Sequence, residues 1–277
     1  MPGTLFLVAT PIGNLADLSA RASETLGAVS FVICEDTRHS GHLLDSLGMH
    51  KETVSLPAFA EKQRAARILE RLERGEDAAL VTDAGMPAVS DPGEFLVAGA
   101  VARGIRVVPI PGPSALLAAL AASGLSTGRF HFLGFLPRAG PERRAMLEEV
   151  AGLRSTLILY ESPRRLGDTL AELGGALGDR RAVVARELTK LHEELVRGKL
   201  SELAARYGGE PPRGEVVLVV EGRSGEERWP ESEVRAALAA GLGRGDRLKS
   251  LAREVARASG WPSAEVYRLG SRLKDDS

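Results

Sequence analysis

From the N-terminus onward, short apolar runs rich in β-branched residues alternate with amphipathic stretches of helical period. Residues 4–9, 30–34, 78–81 and 106–109 read as strands, and residues 19–26, 38–47, 61–74, 92–103 and 114–123 read as helices. Ser19 and Ser114 stand where N-caps are needed, and Gly75 and Gly124 where helices stop. Strands alternating with helices predict an α/β domain with a largely parallel sheet. A second series follows, with strands at 130–133, 156–160, 182–186 and 215–221 and helices at 142–150, 163–177 and 201–207. Residues 188–196 alternate loosely and are compatible with a hairpin. A polar linker over 223–230 then leads into three short helical patterns at 233–240, 246–259 and 263–273, which suggest a small appended helix-turn-helix-like module. The expected organisation is an N-terminal α/β lobe over 1–124, a C-terminal α/β lobe over 125–222, and a linker with a small basic helical module over 223–277.

Composition narrows the class. The 277 residues are 44% hydrophobic and 26% charged, which describes a globular chain and excludes disordered, collagenous and disulfide-rich scaffolds. The single cysteine, Cys34, is read as a small core residue, and no basic segment leads into a long apolar stretch at the N-terminus, so a cytoplasmic address is expected. The uncharged stretch within 107–128 is interrupted by Pro109, Pro111, Gly112 and Pro113, leaving a helix of roughly a dozen residues where a span needs about twenty. No membrane partner is expected. The net charge of −1 announces no global field, yet between Val234 and Lys274 nine basic residues stand against three acidic ones. The chain has 30 Arg to 6 Lys, one Asn and one Gln, which suits heat adaptation or a GC-rich genome.

The candidate chemistry lies in the loops after the strands, because ligands of open α/β sheets bind outside the carboxyl ends of the strands. Thr10-Pro11-Ile12-Gly13-Asn14, Thr82-Asp83-Ala84-Gly85-Met86-Pro87 and Pro111-Gly112-Pro113-Ser114-Ala115 follow three of the expected strands and face one crevice. None contains a phosphate-cradling glycine motif, so a phosphorylated nucleotide is disfavoured. The loops instead suit a ligand held by backbone, small residues and one carboxylate, such as an amino acid joined to a nucleoside, with Asp83 accepting from an amino group or hydroxyl. Each loop taken alone is also compatible with an ordinary tight βα turn.

Six ordered motifs carry a resemblance. They are Val8-Ala9-Thr10-Pro11-Ile12-Gly13-Asn14-Leu15; Glu35-Asp36-Thr37-Arg38; the run Asp83-Ala84-Gly85-Met86-Pro87-Ala88-Val89-Ser90-Asp91-Pro92-Gly93; Pro109-Ile110-Pro111-Gly112-Pro113-Ser114-Ala115; Phe132-Leu133-Gly134-Phe135-Leu136-Pro137-Arg138; and Tyr160-Glu161-Ser162-Pro163-Arg164-Arg165. Together they resemble the tetrapyrrole methylase superfamily, and within it the branch that methylates the 2'-hydroxyl of a cytidine in 16S ribosomal RNA of the small subunit. One departure is Met86, where that branch more often has Thr. The resemblance implies two α/β lobes with S-adenosyl-L-methionine in the cleft between them, and a homodimer. Carried over, it puts Pro11 in the first ligand loop, Asp83, Ala84, Gly85 and Ala88 along the methionine part, Ser114 and Ala115 near its carboxylate, and Tyr160, Leu188 and Gly214 on the second lobe.

A ribose 2'-hydroxyl is a weak nucleophile, so a neighbouring group should take its proton. The candidates are Glu35, Asp36 and Arg38 after the second expected strand, Glu161, and Glu187, with Arg38 orienting a carboxylate or holding a phosphate. Glu35 to Arg38 also read as an ordinary acidic helix start. Glu35, Asp36, His39 and His42 have the composition of a metal cluster, but the reaction needs no metal and none is assigned. Arg138, Arg164, Arg165, Arg247 and Lys249 are candidates for RNA contacts, with Arg143 and Arg144 of the same standing; solvated helix surface explains each equally well. Aromatic residues make up only 4% of the chain, too few for a stacking groove along single-stranded RNA. Two other functions fit the same residues: a methyltransferase of this fold acting on a tetrapyrrole or another small molecule, and a nucleic-acid-binding regulator whose lobes sense a ligand.

Overall fold

The computed structural model describes residues 1–223 and 229–275. The expected linker falls largely on 224–228, outside the described residues, as does the side chain of Arg257. Both sheets lie in one compact unit, Met1–Ala151 with Ser155–Glu221.

The first sheet comprises β1 (Thr4–Val8), β2 (Phe31–Cys34), β3 (Glu52–Ser55), β4 (Ala78–Leu80) and β5 (Arg106–Ile110) in the order β3-β2-β4-β1-β5. Every pairing is parallel, as the strand and helix alternation predicts. Successive residues of β2 point to opposite faces. Phe31 and Ile33 join Leu69, Leu72 and Leu96 from α3 (Glu61–Glu73) and α4 (Glu94–Ala102), whereas Val32 and Cys34 join Leu26 and Leu44 from α1 (Ala20–Ala28) and α2 (Thr37–Ser46). Strand β3 is missing from the sequence expectation: an edge strand with no buried residue shows no hydrophobic run. Ser19 caps α1 by accepting from the Ala22 amide at 3.1 Å.

The second sheet comprises β6 (Phe130–Phe135), β7 (Thr156–Glu161), β8 (Arg181–Arg186), β9 (Glu194–Lys199) and β10 (Val216–Val220) in the order β6-β7-β10-β8-β9. Only β6 and β7 pair in parallel; the remaining pairs are antiparallel. A hairpin is present, but its return strand is β9, so most of the 188–196 segment forms the connecting loop. Helices α6 (Pro141–Ala151), α7 (Leu166–Leu177) and α8 (Leu200–Tyr207) accompany this sheet.

Helix α5 (Ala115–Ser123) follows β5 of the first sheet but packs on the second. Its Leu116, Ala119 and Leu120 lie against Ile158, Val183, Ala185, Val217 and Val219, and the Arg197 guanidinium donates to the Ala122 and Ser123 carbonyls. A helix made almost entirely of Ala and Leu has no polar face to keep in water and is suited to burial between layers. Each fully buried leucine adds about 2 kcal/mol to such a junction.

The second compact unit is Gly152–Arg154 with Gly222–Ser277. Its helices α9 (Glu231–Gly243), α10 (Leu248–Ser259) and α11 (Ser263–Asp275) enclose a core of Val234, Leu238, Leu251, Ala252, Val255, Val266 and Leu269. Among the described residues, no helix is long and apolar enough to cross a membrane.

Candidate active site

Strand β1 lies between β4 and β5, so the three glycine- and proline-rich loops leave adjacent strands at the same end of the sheet. The loops after β1 and β4 are bound to each other: the Thr10 amide donates to the Gly85 carbonyl at 2.9 Å, the Gly85 amide donates to the Thr10 carbonyl at 3.1 Å, and the Thr10 hydroxyl donates to the Thr82 carbonyl at 2.9 Å. The second lobe faces them across a cavity of about 370 Å³. That volume lies in the range of small-molecule sites.

Eight of the ten residues expected to bind the cofactor line this cavity: Asp83, Ala84, Gly85, Ser114, Ala115, Tyr160, Leu188 and Gly214. Pro11 and Ala88 do not line it; each lies in a loop that does. Ser114 occupies the N-cap position of α5 but makes no side-chain capping bond, so its hydroxyl is not committed to the helix. The inner walls are apolar and buried, formed by Ile12, Leu116, Ala185, Leu188 and Val217. Asp91, Phe135 and Glu215 also line the cavity. Phe135 and Asp91 lie inside motifs recognised in the sequence, but neither has a signal there that distinguishes it from its neighbours.

Backbone strain gathers around the same space. All four non-glycine residues with positive φ among those described, Ala88 (65°), Ser90 (65°), Glu187 (50°) and Thr189 (67°), lie in the loops after β4 and β8 that border the cavity. Such conformations cost roughly 1–3 kcal/mol each and persist where the surroundings over-determine them. The Thr189 hydroxyl oxygen is buried with no hydrogen-bond partner among the described residues.

The five catalytic candidates differ sharply. Asp36 is held down to about 2 by hydrogen bonds from Arg38, whose guanidinium lies 2.8 Å away; both are at the surface. Glu161 is buried, and although burial alone raises its pKa, bonds from Arg165 (2.7 and 2.8 Å), Thr169 (2.7 Å) and the Ser162 amide (2.7 Å) together bring it below the usual carboxylate range. Lys190 lowers Glu187 through a 2.9 Å bond and also reaches Glu215 at 2.9 Å. Glu35 moves the other way: partial burial raises it first, and the negative charges of Asp83, Asp91 and Asp36 add to the effect. Asp91 is likewise raised, chiefly by burial. Glu35, Asp36, Arg38 and Glu187 lie outside the cavity lining, and Glu161 lies within it.

Among the basic candidates, Arg138 and Arg164 are exposed, and Arg247 and Lys249 are exposed on the second unit. Arg165 is half-buried and paired with Glu161. Arg143, grouped in the sequence with surface arginines, is buried: it donates to Glu172 (2.5 Å), the Pro137 carbonyl (2.9 Å) and the Thr169 hydroxyl (2.9 Å), which makes it a structural cation. Among the described residues, no group of three or more His, Cys, Asp or Glu side chains is arranged to hold a metal.

Residues 4–204 match the family model of tetrapyrrole (corrin/porphyrin) methylases. The chain belongs to this family. Within the family it is 42% identical, over 99% of both chains, to ribosomal RNA small subunit methyltransferase I of Synechocystis sp.. It is 44% identical to the protein of the same name from Mesorhizobium japonicum, over 99% of this chain and 93% of that one. Solved family-like structures share the fold at lower identity. Uroporphyrin-III C-methyl transferase from Thermus thermophilus, complexed with S-adenyl homocysteine, superposes with a TM-score of 0.58 at 20% identity, covering 78% of this chain and 97% of that one. Diphthine synthase gives 0.63 at 18% identity, covering 80% and 91%. The two-lobed fold and the family resemblance read from the motifs are thereby borne out.

Proposed function

We infer that this chain is an S-adenosyl-L-methionine-dependent methyltransferase that modifies the 2'-hydroxyl of a cytidine in 16S ribosomal RNA of the small subunit. The observation that carries this reading is identity above 40% over nearly the whole chain with proteins named for small-subunit ribosomal RNA methylation. The solved tetrapyrrole and diphthine enzymes, at 18–20% identity, support the fold alone. A cytoplasmic location and a homodimer belong to the same reading.

The cavity fits the cofactor. Backbone and small side chains at Ala84, Gly85, Ser114, Ala115 and Gly214, apolar walls at Ile12, Leu188 and Val217, and the exposed carboxylate of Asp83 provide both apolar contact and a partner for an ammonium group. When bound, the cofactor supplies a methyl group already activated on a sulfonium, so the protein's chief work is alignment. The loops fastened through Thr10 and Gly85, with strained residues fixed around them, provide that alignment before binding. Of the five catalytic candidates, Glu35 is the one whose surroundings raise its proton affinity, and two of the carboxylates that act on it, Asp83 and Asp91, line the cavity; we propose Glu35, at the edge of that lining, as the group that receives the 2'-hydroxyl proton.

The deciding experiment is transfer of labelled methyl from S-adenosylmethionine to unmodified small ribosomal subunits, to naked ribosomal RNA and to a tetrapyrrole precursor, followed by nucleoside mass analysis. Label on 2'-O-methylcytidine is expected. Label on the tetrapyrrole alone would keep the fold and overturn the RNA substrate.

A further inference from the structure

We propose that Phe135 is the stacking platform for the acceptor's unpaired base, a specificity-determining contact that deepens the RNA reading above and rests on it. The chain has only 12 aromatic residues, and Phe135 is an exposed one, at 57%, that also lines the cavity. Its exposure is built into the strand. The β6–β7 register shifts between Phe132 and Phe135, and a bulge of this kind re-aims a side chain. Gly134 within the bulge adopts φ 61°, and a Cβ there would stand 3.1 Å from the Ser90 hydroxyl of the opposing strained loop. No other residue type takes that conformation without cost in so little room.

The ring is held as well as exposed. Phe135 leans on Tyr160 with centroids 5.5 Å apart and planes 57° to each other, and Phe132 braces the other contact of Tyr160 edge-on at 5.0 Å and 71°. The three rings form a rigid corner whose outermost member presents apolar surface to solvent. Val89, 38% exposed, lines the same cavity. The buried walls at Ile12, Leu116, Ala185 and Leu188 suit the reactant that is enclosed, whereas Phe135 and Val89 suit one that arrives at the rim.

A ribose hydroxyl inside folded RNA reaches an enclosed donor only if its nucleotide is drawn out of the stack, and a drawn-out base is held by an aromatic face. Charge for the adjoining backbone lies close along the chain to two lining residues. Arg138 is exposed three residues beyond Phe135, and Arg164 is exposed directly after Pro163 of the cavity wall. One ring and two guanidinium groups fit a single extruded nucleotide, which agrees with a chain too poor in aromatics for a longer stacking track.

The test uses the full chain with Phe135→Ala, Phe135→Leu and Phe135→Trp. Cofactor affinity is measured by calorimetry, and kcat and KM by methyl transfer to unmodified small ribosomal subunits. Loss of one base–aromatic stack is worth roughly a tenfold change or more. Phe135→Ala and Phe135→Leu are expected to lower kcat/KM for subunits about tenfold with cofactor affinity within twofold, and Phe135→Trp to restore it. The proposal is overturned if Phe135→Leu matches the unmodified enzyme, or if cofactor affinity falls in parallel, which would make the ring a wall of the cofactor site. If the unmodified chain methylates a tetrapyrrole and not RNA, the functional reading itself fails, an outcome distinct from an active RNA enzyme indifferent to position 135.

Discussion

A carboxylate buried beside guanidinium groups holds its charge because the alternative leaves those cations without a counter-charge. Glu161 is such a residue, bonded to Arg165 and Thr169, with Thr169 bonded in turn to Arg143. Its pKa lies below the ordinary carboxylate value, so its contribution to stability is complete above the unfolded value of about 4.3 and is lost as pH falls through the folded one. Glu161→Ala is expected to destabilise by about 3–5 kcal/mol at pH 7, a fall in melting temperature on the order of 10 °C by calorimetry, with the deficit shrinking below about pH 4. Glu35 has the opposite setting. Glu35→Gln should lower kcat by about a hundredfold or more while cofactor affinity stays within twofold. In the unmodified enzyme the rate should rise with pH through a carboxylate pKa above the ordinary range, a limb that pH–rate profiles would lose in the variant. Residue type and position after a strand nominate both glutamates equally; what separates them is that Glu161 meets Ser162, Arg165 and Thr169 within eight residues as the chain turns into α7, whereas Glu35 meets the charges of Asp83 and Asp91 from the loop after β4, which are remote in sequence.

Elements long enough to show a period are legible, and those defined by a partner are not. The amphipathic α3 and the apolar β1, β2 and β10 announce themselves, whereas β3 exists because β2 offers it an edge, and β9 because β8 does. The cavity loops were legible as loops, by their glycines and prolines, but what stiffens them was not. One such support is Glu61, the first residue of α3, whose carboxylate oxygen accepts from the amides of Gly93 (3.0 Å), Phe95 (2.9 Å) and Leu96 (3.1 Å). It caps α4 from another element and so anchors the strained 86–92 segment against the sheet. Glu61→Ala should cost about 1–2 kcal/mol of stability and weaken cofactor binding severalfold, with Glu61→Gln intermediate because it keeps an acceptor oxygen. Calorimetric titration well below the melting temperature separates the two effects; unchanged affinity would show that the loop needs no such anchor.

At the scale of the molecule, the chain consists of a two-sheet unit and a helical unit with its own core. A chain ending at Glu221 is therefore expected to bind cofactor as the full chain does. If the exposed Arg247 and Lys249 contact RNA, that shorter chain should bind small subunits more weakly and with a shallower dependence on salt, which filter binding across ionic strengths would measure. The two sheets are not separable in the same way, because α5 is encoded with the first and buried by the second. This has a consequence for synthesis. As the chain emerges from the ribosome, Leu116, Ala119 and Leu120 leave the tunnel before the strands that will cover them, and an apolar helix stays in water until translation has passed Val220. For that interval the nascent protein is a natural client for chaperones, and a fragment released at residue 124 should aggregate where the longer chain does not.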